Sequence, residues 1–517
     1  MRRGRWYASI LPLLDGRMMV FGGFVGFDVG YPSMYAFEMN HFVEFFDPST
    51  SNWSAIDVKS LPHSPFTTLI NPKFKPTKGW KCGRRCIRDN RYDAFKLYPE
   101  NYLTSDGRIF LTREGDWTSA RTTDAAFIRR TNRTYWIELQ DKDRISFSRG
   151  PDRLVNISSY GTTFLDPNSG LISLLGGQPV SPGIRLYKDS PHDNYFAGGR
   201  GSRKLERFHQ SKYEPDGGHW TLDPNFLSTT SADDRSNHYA LILPTSQILI
   251  LGGSNYDFYG SIHYPLLLSP RFSTQTNKFL GYKKEIMNEH VEARLYHTAA
   301  LLMPDGRIWL SGGNAGRATV HKRRGPLSFH NVSGGTQPLP DLDLIDLDFY
   351  FTVEDLVMGR RSKGSSDVPT ETWIAEIFSP PYLFIDGERR AKIVSIRQTH
   401  ASYSFRKVIG NQIFYLLHSN HSYIVLLSGL PGRCATQGKA SLVLNKLPWA
   451  THGWDGGQRL FSLQFQQQDQ HDQIQFQTPD LRKSNLPPAY YMMFYVDCMG
   501  KPSAARMIRF DDDAQEL

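Results

Sequence analysis

The sequence predicts an all-β chain in which a β-propeller is followed by a β-sandwich. Three observations predict it. A two-strand unit recurs along the N-terminal part, aromatic and turn-forming residues are abundant, and no convincing amphipathic helical stretch occurs. Aromatics make up 13% of the 517 residues, beside 43 Gly and 31 Pro, which suits many short strands and tight turns. The length also exceeds what one hydrophobic core usually serves, so two domains are expected.

The repeated unit is seen at 9–23, SILPLLDGRMMVFGG, and again within 291–314, VEARLYHTAALLMPDGRIWLSGGN. Related versions stand at 101–112, 162–177 and 239–253. Each has an apolar strand, a turn rich in Asp, Gly, Ser or Asn, a second apolar strand, and usually a closing Gly-Gly. The turn residues accept positive φ, and the apolar strands read as buried on both faces. Such hairpins at uneven, blade-sized spacing read as propeller blades, with Gly-Gly letting neighbouring backbones approach near the axis. Five units are visible.

The texture changes near residue 371. Strands such as QIFYLLHSNHSYIVLLSG, KASLVLNKLP and PPAYYMMFYVDCMGKPS lack the blade signature and suit a separate sandwich. The expected division is a propeller over 1–365 and a sandwich over 371–517. A long insert at about 315–370 carries two basic clusters. The Gln-rich stretch at 464–477 has no assignable chemistry.

Charge and hydropathy exclude some classes of function. The 60 basic and 51 acidic residues leave a net charge of +9, and the basic clusters sit in loop-like segments without a nucleic-acid module, so no nucleic-acid partner is expected. No apolar run approaches the ~20 residues of a membrane helix, so no membrane span is expected. The basic N-terminus imitates a signal peptide, but Asp15-Gly16-Arg17 interrupts its apolar run and belongs to the first repeat. Sequons at Asn52, Asn132, Asn156, Asn331 and Asn420 lean toward a secreted protein. Cys82 and Cys86 read as a local disulfide or two free thiols, and Cys434 and Cys498 are a second candidate pair.

Three places carry residues able to serve one metal ion. Tyr7 precedes the first blade strand, Tyr296 and His297 precede the last, and His452 lies on a Gly-rich loop of the C-terminal domain. Neighbours inside a regular strand point to opposite faces, whereas Tyr296 and His297 lie just before the strand begins, where alternation is not enforced. Two phenols and two imidazoles form a mixed N/O set that suits Cu(II) better than zinc or magnesium.

Phased as R-W-Y-x(6)-D-G-R-x(4)-G-G, then R-x-Y-H-x(5)-M-P-D-G-R, then T-H-x(5)-Q-R-x(3)-L, the chain resembles the galactose oxidase and glyoxal oxidase family of copper radical oxidases. The resemblance covers essentially the whole chain and is weakest over 24–95 and 315–370. It implies a seven-bladed, kelch-like propeller and an immunoglobulin-like sandwich whose loop reaches the propeller axis. It further implies one copper ion, cycling between Cu(II) and Cu(I), held by Tyr7, Tyr296, His297 and His452. Tyr7 would be the equatorial tyrosine that carries a tyrosyl radical, and Tyr296 the axial tyrosine that accepts the substrate's hydroxyl proton. A metal-bound phenol loses its proton far below its ordinary pKa of about 10. The implied reaction oxidises small aldehydes or primary alcohols and reduces O₂ to H₂O₂, in a secreted monomer.

One family feature has no counterpart here. The family's radical tyrosine is cross-linked to a cysteine of the preceding blade, and no cysteine precedes Tyr7. The expectation is a chain that begins late, with signal peptide, first blade and cysteine upstream. The alternative is a catalytically silent scaffold that binds glycan or protein; a hydrolase has no nucleophile–base pair to recommend it. His238, His263, His418 and His421 read as surface or internally satisfied histidines, and Gln458 and Arg459 as loop anchors.

Overall fold

The computed structural model describes residues 4–23, 40–66, 98–113, 132–179, 201–313 and 372–511. Short interruptions include 6, 296, 431–439 and 452–453, and only the backbone is described at 328–330 and 336–338. The chain is all-β, and among the described residues the one helical element is a 3₁₀ turn at Pro381–Phe384.

Each repeat opens an antiparallel sheet. The first blade runs Ser9–Pro12, Met18–Phe21, Phe42–Asp47, Asn52–Asp57. The second runs Glu100–Leu103, Ile109–Arg113, Tyr135–Asp141, Arg144–Arg149. The third comprises Thr162–Leu165, Ile172–Leu175, Leu205–Gln210, Gly218–Leu222. The fourth comprises Ser236–Ile242, Ile248–Tyr256, Leu266–Phe272, Phe279–Ile286, with Tyr259–Ser261 beside its second strand. The fifth has Ala299–Leu302, Ile308–Ser311 and Glu376–Phe378. Five propeller-like blades are thus described, matching the five repeat units; the seven implied by the family are not reached among the described residues.

Alternation explains why the inner strands are continuously apolar. In the fourth blade Ala240, Ile242, Ile248 and Ile250 enter a core shared with Phe164, Leu175 and Leu205 of the third. The intervening Tyr239, Leu241, Leu249 and Leu251 enter a core shared with Ala300, Ile308 and Leu310 of the fifth. The same sharing joins the first blade to the second and the second to the third. Each strand therefore buries both faces, at roughly 1.5–3 kcal/mol per large apolar side chain.

The Asp-Gly-Arg turns are built alike. Asp15, Asp106 and Asp305 each accept the backbone N–H of the arginine two positions on, and each pairs with that arginine's Nε. Gly16, Gly107 and Gly306 supply the left-handed residue, at φ 86°, 81° and 84°. The Gly-Gly pairs do a different job. A Cβ on Gly252 would lie 2.5 Å from the Arg294 carbonyl of the next blade. The Gly253 N–H donates to that same carbonyl at 2.7 Å. Close approach between blades requires glycine there.

The C-terminal part stacks two sheets. One orders Lys392–Gln398, Ser422–Ser428, Gln473–Gln477, Phe465–Gln467. The other orders Arg406–Ile409, Gln412–His418, Arg506–Asp511, Ala489–Val496, Ser441–Lys446, Leu460–Leu463. Their inner faces meet through residues such as Ile393, Val425 and Ile474 against Leu417, Leu444 and Ile508. Glu376–Phe378 pairs with Ile308–Ser311 and so completes the fifth blade; the sandwich strands begin at Lys392. Most of the 315–370 insert lies outside the described residues, where only Ser328–His330 paired with Thr336–Pro338 is seen. Cys498 is disulfide-bonded, while Cys82, Cys86 and Cys434 lie outside the described residues.

Candidate functional site

A hairpin of the sandwich, Trp449–Thr451 paired with Trp454–Gly456, enters the middle of the propeller. It packs against the first strands of the first, third, fourth and fifth blades. It meets the second through Thr451, whose Oγ1 donates to the Tyr98 hydroxyl at 3.4 Å. Trp449 Nε1 donates to the Ile10 carbonyl at 3.2 Å. Behind the hairpin, Gln458 donates to the Ala240 carbonyl at 2.9 Å and accepts the Ile242 N–H, and Asn445 donates to the Ile242 carbonyl. Gln458 is thus an anchor, as its place beside a Gly-rich loop suggested. A strand hairpin touching all five described blades marks the axis.

One residue of each blade stands at or just before the start of its first strand, which in the first, third, fourth and fifth blades packs on this hairpin, and these five positions form the rim. Tyr7, Tyr98 and His297 stand eight positions before Asp15, Asp106 and Asp305, and Gly161 and Asn237 stand eight before Ser169 and Thr245. The four non-glycine members share a left-handed backbone, with φ 64° at Tyr7, 45° at Tyr98, 57° at Asn237 and 63° at His297. Such a conformation is uncommon for an aromatic residue and costs on the order of 1–3 kcal/mol. It turns these side chains out of strand alternation just before the ladder starts.

Buried arginines hold the strained segments. Arg5 donates to the Gly22 carbonyl at 3.0 Å and to Phe42 O, and pairs with Glu44 at 2.8 Å. Arg235 donates to the carbonyls of Gly252 and Tyr264 at 2.9 and 2.7 Å. Arg294 donates to the carbonyls of Gly312 and Ile374, both at 2.8 Å, and pairs with Glu376 at 2.6 Å. Glu376 also accepts the N–H groups of Val291 and Glu292. Burial raises its pKa, but those N–H groups and the Arg294 guanidinium outweigh burial and hold it below the ordinary carboxylate range. Each arginine ties the segment before a rim residue to the first glycine of its own blade's Gly-Gly and to the third strand of that blade or the residues leading into it.

Tyr7 is half-buried, and its ring stacks on Tyr98 with centroids 4.6 Å apart and planes at 21°. The Tyr98 N–H donates to the Tyr7 carbonyl at 2.9 Å. His297 is half-buried two residues before its strand, as its place in the sequence suggested. Tyr296 and His452 lie outside the described residues, although Thr451, next to His452, lies against Tyr98. Tyr98 and Asn237 escaped the sequence reading; their signal was the constant distance to the turn. Among the described residues no group of three His, Cys, Asp or Glu side chains is disposed to hold a metal. Among the rim's polar side chains, the phenols of Tyr7 and Tyr98 and the imidazole of His297 fit the mixed N/O set of a copper centre.

Comparison with known proteins follows the same line. Residues 419–510 match the family model described as galactose oxidase-like, early set domain. The aldehyde oxidase GLOX of Vitis pseudoreticulata is 28% identical over 276 residues, which are 52% of this chain and 40% of that protein. The chain is related to the galactose oxidase and glyoxal oxidase family. Its fold agrees: a fungal alcohol oxidase of the AA5 family, solved in complex with copper, superposes with a TM-score of 0.58 at 15% identity, over 99% of this chain and 76% of that one. The match to the curated relative spans less than half of that relative's length. The matched stretch, 419–510, includes the axial hairpin of Trp449–Thr451 and Trp454–Gly456.

Two of the histidines read as surface or internally satisfied take definite places. His238 is fully buried, and burial, ahead of repulsion from Arg235, pushes its pKa down to about 3, so it stays neutral. His263 pairs with His290, which the sequence reading passed over. Asn132, one of the sequons, is half-buried and donates its side-chain amide to the Arg153 carbonyl at 3.0 Å, which removes it as an exposed glycan acceptor.

Proposed function

We propose that this chain is a copper-dependent oxidase of small aldehydes or primary alcohols that passes electrons to O₂ and forms H₂O₂. The observation that carries the reading is the axial rim. Tyr7 and His297 occupy equivalent strained positions there, and the hairpin adjoining His452 touches the ring that stacks on Tyr7. Tyr7, Tyr296, His297 and His452 are the residues we assign to the metal. Bound there, copper would supply one oxidising equivalent and acidify the phenols it contacts.

The protein's own part is positioning. The left-handed backbone at Tyr7, the Arg5 tie and the Tyr98 stack hold one phenol ring in place and keep water from one of its faces. Tyr7, oxidised to a tyrosyl radical, is assigned the hydrogen-atom abstraction from the substrate carbon, which is the second oxidising equivalent. Tyr296 Oη is assigned the substrate's hydroxyl proton, and O₂ takes up both electrons and two protons as H₂O₂. His297 and His452 serve as neutral imidazoles. The disulfide at Cys498 and the exposed sequon at Asn420 support secretion.

The test is direct. Copper-loaded protein, supplied with any upstream segment its gene encodes, should consume O₂ and release peroxide with a small aldehyde or primary alcohol, and metal-free protein should not. If copper-loaded protein is inert across a broad aldehyde and alcohol panel, the enzyme reading fails and a binding scaffold takes its place.

A further inference from the structure

Two histidines away from the axial rim are arranged as ligands. His263 lies between Tyr259–Ser261 and the third strand of the fourth blade, and His290 in the segment leading to Arg294 and His297. The His263 Nδ1–H donates to the His290 carbonyl at 3.0 Å, and the His290 Nδ1–H donates to the Glu292 carbonyl at 2.7 Å. The His290 backbone N–H returns a bond to the His263 carbonyl at 3.0 Å. A carbonyl only accepts, so both Nδ1 atoms carry the proton. In the neutral rings both Nε2 atoms therefore present bare lone pairs.

His290 is 7% exposed, and its Nε2 is buried with no hydrogen-bond partner. Burial pushes its pKa down to about 4, so the ring is a neutral donor at ordinary pH. The two ring centroids are 5.2 Å apart, with planes at 35°. Two imidazoles sharing one ion at N–metal distances of about 2.0–2.1 Å bring their centroids to roughly that separation. An Nδ1–H fixed on a backbone carbonyl is also the arrangement that orients ligating histidines. A buried bare acceptor is otherwise costly, and native interiors rarely leave one.

We infer that His263 and His290 form a two-histidine site for a borderline divalent transition ion such as Zn²⁺, separate from the axial rim. Imidazole donors disfavour Mg²⁺ and Ca²⁺, which take oxygen ligands. The half-exposed side of His263 leaves room for water to complete the coordination. The ion would bridge the loop of the fourth blade and the segment that leads to His297, tying two non-contiguous stretches of chain together.

The experiment is a Zn²⁺ titration of the full metal-free chain by calorimetry, comparing wild type with His263→Gln, His290→Gln and His297→Gln. His263→Gln and His290→Gln should each weaken one Zn²⁺ event by about tenfold or more, and that event should survive His297→Gln. Zn²⁺ should raise the Tm of wild type more than that of His263→Gln. His263 is half-exposed, so its variant is expected to fold even if His290→Gln does not. Unchanged Zn²⁺ binding in a folded His263→Gln protein, or loss of all binding on His297→Gln alone, would overturn the site and leave a bridging water as the occupant.

Discussion

Tyr7→Phe is expected to lower copper-dependent peroxide release by roughly a thousandfold or more while the fold survives. The substitution removes one oxygen and nothing else. Phenylalanine meets the same backbone demand at φ 64°, and its ring keeps the stack on Tyr98. The Arg5 bonds to Gly22, Phe42 and Glu44 do not involve the phenol. A merely structural Tyr7 would show an activity loss no larger than its loss of stability accounts for. The account expects activity to collapse and the melting temperature to stay within a few degrees. Activity within tenfold of wild type would show that Tyr7 does not carry the oxidation, even if copper still binds. The comparison is informative because it separates a reacting group from the frame that holds it.

Arg294→Met is expected to have the largest effect on stability, about 3–5 kcal/mol. The guanidinium is fully buried and satisfies the carbonyls of Gly312 and Ile374 together with the Glu376 carboxylate. Methionine approximates the aliphatic stem but leaves two carbonyls and a carboxylate without their donor. Those acceptors fix the segment before His297 against the fifth blade's second and third strands, so copper affinity should fall together with stability. Urea denaturation measures the first and a copper titration the second. Arg294→Lys should recover the charge but not the fork that reaches three acceptors, and so land between the two. A loss below about 1 kcal/mol in Arg294→Met would mean that the ion pair contributes no more than its replacement.

How much was readable in the sequence depended on whether the signal was local. Asp15-Gly16-Arg17 and its two counterparts encode their turns within three residues, so three of the five described blades are marked by them; the other two carry Ser169-Gly170 and Thr245-Ser246 at the same place. The Gly-Gly pairs announced close backbone approach, and Gly252 against Arg294 is that approach. Tyr98 was hidden because nothing beside it in sequence is polar or metal-like. Its importance lies in the register between blades, which places its ring on Tyr7 across 91 positions of chain. The Glu44 and Glu376 partners sit on third strands, where the repeat is no longer recognisable. The third strand of the fifth blade arrives after the long insert, and its motif EIFSPP read as the start of the sandwich until its pairing with Ile308–Ser311 was seen. His263 and His290 carry no common motif; only the folded backbone lets each donate to a carbonyl of the same short stretch. Rules about spacing thus recover turns and strands, whereas contacts made between blades require the structure.

The rim geometry makes one claim from which the others descend: Tyr7 and His297 address the same copper ion. Anomalous diffraction at the copper absorption edge, from crystals of the copper-loaded chain, tests it most directly. The account predicts a peak on the propeller axis at about 2 Å from both the Tyr7 hydroxyl oxygen and an imidazole nitrogen of His297. A fully loaded crystal whose copper lies away from Tyr7 and His297, at the His263–His290 pair alone for instance, would contradict it.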